Sequence, residues 1–197
     1  MDFTALKERL EQNNFTVTTF ATGAEAARYL NEVVDGKTVG FGGSVTLKEL
    51  GLYESLSAHN EVHWHWVNGP EEREKAMTTQ VYMASVNAIA ADEGALLNID
   101  GTGNRVAGTL FGHEKVYFVV GRNKIAPTFE EALWRAKNIA APKNTQRLNM
   151  KVPCAVHADK CYECNSPARG CNSLVVHWKK MNLMEMEIVL IDEELGY

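Results

Sequence analysis

The chain contains no apolar run approaching the roughly 20 residues that a membrane-spanning helix requires, which excludes an integral helical membrane protein. It has no basic n-region followed by an apolar stretch at its start; MDFTALKERL reads as an amphipathic helix instead. No cluster of Lys and Arg rises above a background of 20 basic against 25 acidic residues, and the net charge of −5 argues against non-specific nucleic-acid binding. There is no low-complexity stretch and no internal repeat. Cysteine is missing everywhere except in one short stretch, where all four occur. The expectation from these absences is a cytoplasmic protein in a reducing compartment, with neither nucleic acid nor membrane as partner. What is present is ordinary for a globular domain: 197 residues, 45% hydrophobic and 23% charged. That is enough for one domain with a full core, expected to span 1–197.

The four cysteines are Cys154, Cys161, Cys164 and Cys171, spaced C-x6-C-x2-C-x6-C inside KVPCAVHADKCYECNSPARGCN. Pro153, Pro167 and Gly170 mark the stretch 152–172 as a loop that something must pin. Two thiolates at x2 spacing can hold a soft metal from one tight turn. Three readings stand: an iron–sulfur cluster on four Cys, a structural zinc site, or free or disulfide-bonded thiols. Disulfides belong mainly to small secreted domains, so spacing and compartment favour a metal or cluster. The spacing follows neither the zinc-ribbon nor the ferredoxin pattern, and iron–sulfur and zinc stay equally open. Lys160 and Arg169 flank the thiols and would offset their charge. His157 is a fallback ligand.

Along the chain, periodicity predicts a helix over 3–13, a strand over 15–20, and a helix opened by the Thr22/Glu25 capping box. A strand follows at 37–41, then a helix in VTLKELGLY and a strand at 61–67. Residues 71–91, rich in Ala and Met, read as one long helix. Strands are expected at 94–100 and 115–121. Pro127-Thr128 with Glu131 caps a helix to about Ala140, and Pro142 interrupts it before a short helix to Leu148. Two final strands, 173–178 and 186–192, come after the Cys loop. Alternating strands and helices predict an α/β fold with a Rossmann-like, open, mostly parallel sheet. Ligands in such sheets sit beyond the carboxyl ends of the strands.

Three loops lie there. In GFGGSVTLKE (40–49), Gly42 and Gly43 let backbone N–H groups approach an anion, and Ser44 and Thr46 add hydroxyls. Glu49 follows as a candidate base. Geometry alone would also explain the glycines. In NIDGTGNRVAGT (98–109), Asp100 ends a strand, Gly103 loosens the turn, and Asn104 and Arg105 follow; Arg is a natural fork for carboxylate or phosphate. In GRNKIAPT (121–128), Arg122, Asn123 and Lys124 either complete an anion pocket or form a solvated loop. His63 and His65 share one strand face, with Trp64 and Trp66 on the other. No carboxylate or thiol partner is evident for that histidine pair, so a half-buried pair is expected. His113 and His177 stand alone. Met77, Met83, Trp134 and Trp178 read as core or subunit packing.

The segments GFGGSVT, DGTGNRVA, VVGRNKIAPTFEEALWRAKNIAAPKNTQRL, CYECNSPARGCN and VLIDEELGY occur in an order that resembles the lactate-utilisation (LUD) domain family, specifically its short stand-alone members from anaerobic bacteria. The resemblance covers the chain from about residue 36 onward. It implies a fold like that of ribose-phosphate isomerases and CoA-transferases, with Gly42, Gly43, Ser44 and Thr46 matching a loop that binds phosphate or polar groups in those distant relatives. It also implies a link to oxidation of lactate to pyruvate beside iron–sulfur partner proteins. The resemblance further implies that the four-Cys tail belongs to a branch of the family, and the long ferredoxin-type extension of larger relatives is not expected here. Three functions follow as expectations. One is a component of a lactate or 2-hydroxy-acid oxidising system, with a carboxylate held by Ser44, Asn104 and Arg105 and a cluster on the thiols. Another is an isomerase or acyl-transfer enzyme on a sugar phosphate or CoA ester, with Glu49 or Asp100 as general base and zinc stapling the tail. The last is a non-catalytic assembly or regulatory subunit that joins a partner or a second copy of itself.

Overall fold

A computed structural model describes residues 1–197. The elements run α1 (Thr4–Gln12), β1 (Thr16–Phe20), α2 (Gly23–Val33), β2 (Thr38–Phe41), α3 (Val45–Glu49), α4 (Leu52–Leu56), β3 (Glu61–His63) and α5 (Glu72–Ala76). Then come β4 (Val81–Ala84), β5 (Ala88–Ala90), β6 (Ala95–Asp100), α6 (Asn104–Ala107), β7 (Lys115–Gly121) and β8 (Ile125–Ala126). The last are α7 (Phe129–Arg135), α8 (Ala141–Arg147), α9 (Pro153–His157), β9 (Ser173–His177) and β10 (Glu185–Ile191). None of the helices is long and apolar enough to cross a membrane.

Six strands form an all-parallel sheet in the order β1-β10-β7-β4-β2-β3. The Rossmann-like expectation is met here. Its central strand β7, KVYFVVG, is apolar from Val116 onward apart from the Tyr117 hydroxyl because both faces are covered. Val116, Phe118 and Val120 point into a core shared with Phe3 and with Leu6 and Leu10 of α1. Tyr117 and Val119 point into the opposite core, with Leu30 of α2, Leu47 of α3 and Leu52 and Leu56 of α4. One strand thus supplies two cores through its period of two. A second, mixed sheet in the order β8-β5-β6-β9 lies on the α1 side, with Ile89 and Leu96 joining that core. Its other face packs on α7 through Ala88, Ala90, Leu97 and Ala132.

Three sequence expectations give way. The long helix over 71–91 is a short helix followed by two strands, β4 and β5. Ala and Met favour helix, but β4 is buried on both faces between β2 and β7 and β5 is buried in the second sheet, and the sheets override the propensity. The strand expected over 61–67 stops at His63; the backbone then turns, with the Val67 and Asn68 N–H groups donating to the Trp64 carbonyl. The alternation of His and Trp faces therefore does not extend past His63. Pro142 does not interrupt its helix. A π turn over Ala136–Ala140 precedes α8, and Pro142 falls in the first turn of α8, where its missing N–H is tolerated.

Of the two final strands, β9 joins the second sheet while β10 inserts between β1 and β7. Main-sheet order therefore reverses at β2: the chain runs outward to β3, then returns to β4 on the other side of β2. A cleft beyond the carboxyl ends of β2 and β4 is what that reversal creates.

Candidate functional site

A cavity of about 390 Å³ opens at that place. Its lining comes from the ends of β2 (Gly43, Ser44), β4 (Ser85, Asn87) and β6 (Asp100, Asn104, Arg105) and from Lys124 after β7. His65 and Trp66 after β3, Asn144 and Arg147 of α8, and Tyr197 close another side. The end of the cysteine loop, Arg169, Gly170 and Asn172, also lines it.

The glycines after β2 are set by close approach. A Cβ on Gly42 would sit 2.8 Å from Arg105 Cγ, and one on Gly43 3.1 Å from the Trp66 ring. Ser44 caps α3, its hydroxyl accepting from the Leu47 N–H at 3.3 Å. Thr46 is fully buried; its hydroxyl accepts from Lys124 Nζ at 2.8 Å and donates to the Leu195 carbonyl at 3.3 Å. Glu49 lies outside the cavity lining and accepts from the Gly196 N–H at 2.6 Å. Asn123 does similar work, accepting from the Leu195 N–H and donating to the Gly196 carbonyl. Both residues hold residues 195–196 rather than face the cavity.

Arg105 is a clasp. It donates from Nε to Asp100 at 3.1 Å, from Nη1 to the Ser85 carbonyl and Asn98 Oδ1, and from Nη2 to the Ile99 carbonyl at 2.7 Å. Asp100 also accepts from the Gly103 N–H at 2.7 Å, a bond that the left-handed φ of +92° at Gly103 permits. With one guanidinium N–H left over, Arg105 ties the β6 loop to β4 instead of presenting a free fork. Uncommitted donors come from elsewhere. Arg147 lies over the Trp66 ring at 4.3 Å, bonds the Tyr197 hydroxyl through Nε at 2.8 Å and has Nη1 unengaged. Arg169 spends only Nη2, on the Cys171 carbonyl and sulfur. The Asn104 side chain makes no hydrogen bond within the chain.

Lys124 is the most unusual group in the cavity. It is 3% exposed, and Nζ lies 2.8 Å from Thr46 Oγ1 and 2.9 Å from Ser85 Oγ, with no carboxylate in salt-bridge range. Burial, then repulsion from Arg135 and Arg105, pushes its amine down to about 7 against partial relief from Glu49. His65 is also held below its ordinary value, by burial first and then by Arg73 and Arg147, and its Nδ1 has no partner.

Other histidines have structural settings. His63 meets Glu72 at 2.6 Å and Glu61 at 3.2 Å, so carboxylate partners do exist for it, supplied by α5 and β3. His113 and His177 are buried against the Thr79 and Thr109 carbonyls, and burial lowers both. Met83 is core, whereas Trp134 and Trp178 are 58% and 60% exposed.

The thiols do not meet. No three metal-capable side chains come together, and all four cysteines are free and half-buried. Cys154 Sγ faces the Thr145 hydroxyl at 3.3 Å, Cys161 Sγ accepts from the Glu163 N–H at 3.4 Å, and Cys171 Sγ contacts Arg169. Cys164 has no hydrogen bond. As folded, the loop does not fit a four-thiolate cage. It is nevertheless laced onto the cavity: the Asn172 N–H donates to the Asp100 carbonyl at 2.9 Å and its side-chain amide to the Gly101 carbonyl at 3.0 Å. Ala158 and Glu163 hold positive φ within it, an uncommon state for residues with a Cβ.

Sequence reasoning placed Gly43, Ser44, Asp100, Asn104, Arg105 and Lys124 in this cavity. It missed Ser85, Trp66, Arg147 and Tyr197. Ser85 was hidden by the helix reading of 71–91; Val81, Tyr82 and Val86, all strand-favouring, were the signal that could have exposed it.

Comparison with the curated proteins finds no match. Among solved structures, a DUF162 family protein from Deinococcus radiodurans superposes with a TM-score of 0.59 at 10% identity, over 96% of this chain and 95% of that one, a likeness of fold. The family model described as the LUD domain matches residues 4–191, and on that match the chain belongs to the LUD domain family.

Proposed function

We propose that the cavity binds a small 2-hydroxy or 2-oxo acid and that the protein serves a lactate-type utilisation system, the role to which LUD family membership points. One observation carries the reading. The cavity gathers free donors on Arg147, Arg169 and Asn104 around Lys124, while its one carboxylate, Asp100, is occupied by Arg105 and the Gly103 N–H. Such a lining attracts an anion, and planar guanidinium groups suit a carboxylate. About 390 Å³ falls near the low end of small-ligand cavities, which suits a compact acid and is tight for a whole CoA ester.

Ser44, Asn104 and the two free arginines orient the carboxylate. Lys124, held by Ser85 and Thr46, faces the carbon that bears oxygen. Gly42 and Gly43 keep the β2 loop flat enough for Arg105 and Trp66 to close the wall. Oxidation of a hydroxy acid requires an electron acceptor, and an iron–sulfur protein is the partner we assign to that task.

A sugar phosphate, as in isomerase chemistry, is the second reading; it is favoured by the same cations and by the nearby Asp100. A metal or cluster on Cys154, Cys161, Cys164 and Cys171 requires the loop to draw its sulfurs together, and no chemical step is assigned to it. Purification without oxygen followed by iron, sulfide and zinc analysis decides its occupant, or the lack of one.

Titration calorimetry with lactate, pyruvate, inorganic phosphate and ribose 5-phosphate tests the ligand. Binding of the two acids, weakened by Arg147→Ala, is expected. Binding of ribose 5-phosphate alone would transfer the assignment to the sugar phosphate.

A further inference from the structure

We propose that Lys124 is a nucleophilic amine that forms an imine with the carbonyl carbon of a 2-oxo acid in the cavity. The proposal rests on the reading of the ligand as a hydroxy or oxo acid and goes beyond it by naming a covalent step.

The setting of Nζ, with two hydroxyls and no carboxylate in salt-bridge range, favours a neutral amine. A neutral lysine has two N–H bonds and one lone pair, whereas an ammonium has three N–H bonds and no lone pair. Two oxygens lie within reach, Thr46 Oγ1 at 2.8 Å and Ser85 Oγ at 2.9 Å, and no third acceptor is in range. Two N–H bonds are therefore satisfied, and the lone pair remains. The third position on Nζ, lone pair or proton, faces the cavity, and charge there is disfavoured because the residue is 3% exposed and no carboxylate is within salt-bridge range. The charged groups facing Nζ from its surroundings are Arg105 of α6 and Arg135 of α7, with only Glu49 of α3 opposing them. Arg135 is fixed where it is: it donates to the Asn123 and Asn87 carbonyls and has no carboxylate partner. Crowding by cations in a buried site is one of the ways a lysine becomes nucleophilic near neutral pH.

In the step itself, the nitrogen lone pair forms the C–N bond while the carbonyl π pair moves onto oxygen. One amine proton passes to that oxygen, giving a carbinolamine. The second follows as the oxygen departs as water, leaving C=N. No oxidant or reductant is consumed. Ser85 and Thr46, whose hydroxyls already contact Nζ, are the nearest carriers for both protons.

The experiment uses the full chain and pyruvate. Calorimetry first establishes that pyruvate binds. The complex is then treated with sodium borohydride, which reduces an imine to a stable secondary amine, and the modified residue is mapped by peptide mass spectrometry. One adduct per chain at Lys124 is expected. It should be lost in Lys124→Met, absent with lactate, and form faster at pH 8 than at pH 6. Mapping on the wild-type chain keeps the test decisive even if Lys124→Met fails to fold. Pyruvate binding without an adduct overturns the covalent step while leaving the ligand assignment intact. Label scattered over surface lysines, or unchanged in Lys124→Met, overturns it as well. Absence of any acid binding removes the ligand assignment and this proposal together. An adduct with ribose 5-phosphate and none with pyruvate overturns the oxo acid as the substrate.

Discussion

Lys124 and Cys164 lie in two regions bordering one cavity and could hardly be set more differently. The lysine sits beyond the carboxyl end of a central parallel strand, 3% exposed, between a hydroxyl of α3 and one just past β4. The cysteine sits in an irregular loop, half-buried, without a hydrogen bond. Strand ends are fixed by the packing of two cores, so groups placed there hold their geometry without a ligand. A loop with little regular structure has only its local contacts, and its thiols face separate partners. The chemistry we assign to the protein accordingly lies on the strand ends. The thiol loop touches it through Arg169, Gly170 and Asn172.

That contrast can be broken most directly at Arg105. Arg105→Ala leaves Asp100 without its cation and cuts the tie from the β6 loop to β4. A loss of roughly 3–5 kcal/mol is expected, as for a buried pair deprived of one partner. Urea unfolding measures it, and a loss under about 1 kcal/mol would show that the strand-end region does not depend on this clasp.

Next in size is a pH effect. An amine whose native pKa lies near 7 against 10.5 in the unfolded chain binds fewer protons when folded. The unfolded state therefore holds the extra proton between those values, and stability rises with pH across that window. From pH 7 to 9 the wild type should gain about 2 kcal/mol relative to Lys124→Met. Parallel unfolding curves for the two proteins at each pH would detect this, and equal curves at both pH values would contradict a buried, largely neutral Lys124.

Arg147→Ala is a smaller perturbation to folding and a specific one to binding. Its stack on Trp66 is worth about 0.5–1 kcal/mol, so the melting temperature should change little. Acid affinity should fall about tenfold, or roughly 1.4 kcal/mol, by calorimetry. The least effect is expected at Cys164→Ser: stability within about 0.5 kcal/mol of wild type and unchanged acid binding. A large loss there, accompanied by release of bound iron or zinc, would mean that the sulfurs converge around a metal and that the two regions are equally well organised.

Much of the frame was legible in the residues. The Thr22/Glu25 capping box forms as expected, with reciprocal hydrogen bonds. The mainly apolar segments KVYFVVG and MEIVLID become the buried strand β7 and most of the buried strand β10. Residues 81–90 were not legible. A strand covered on both faces has no alternation to display, and its Ala and Met residues mimic a helix. Missing that strand concealed Ser85, one of the two hydroxyls on Lys124. Trp66, Arg147 and Tyr197 are far apart in the chain, and no local pattern announces their meeting.

An alternating α/β chain, a parallel sheet, and glycine- and arginine-bearing loops at strand ends were all readable from local patterns, because periodicity and turn chemistry are local properties. Packing in three dimensions set the rest: Arg105 is consumed as a clasp, Lys124 has two hydroxyls and no carboxylate beside it, and Cys154, Cys161 and Cys171 contact three different neighbours. Those outcomes depend on burial and on which groups come within about 3 Å of one another, the range over which a hydrogen bond or a lost hydration shell changes what a side chain can do.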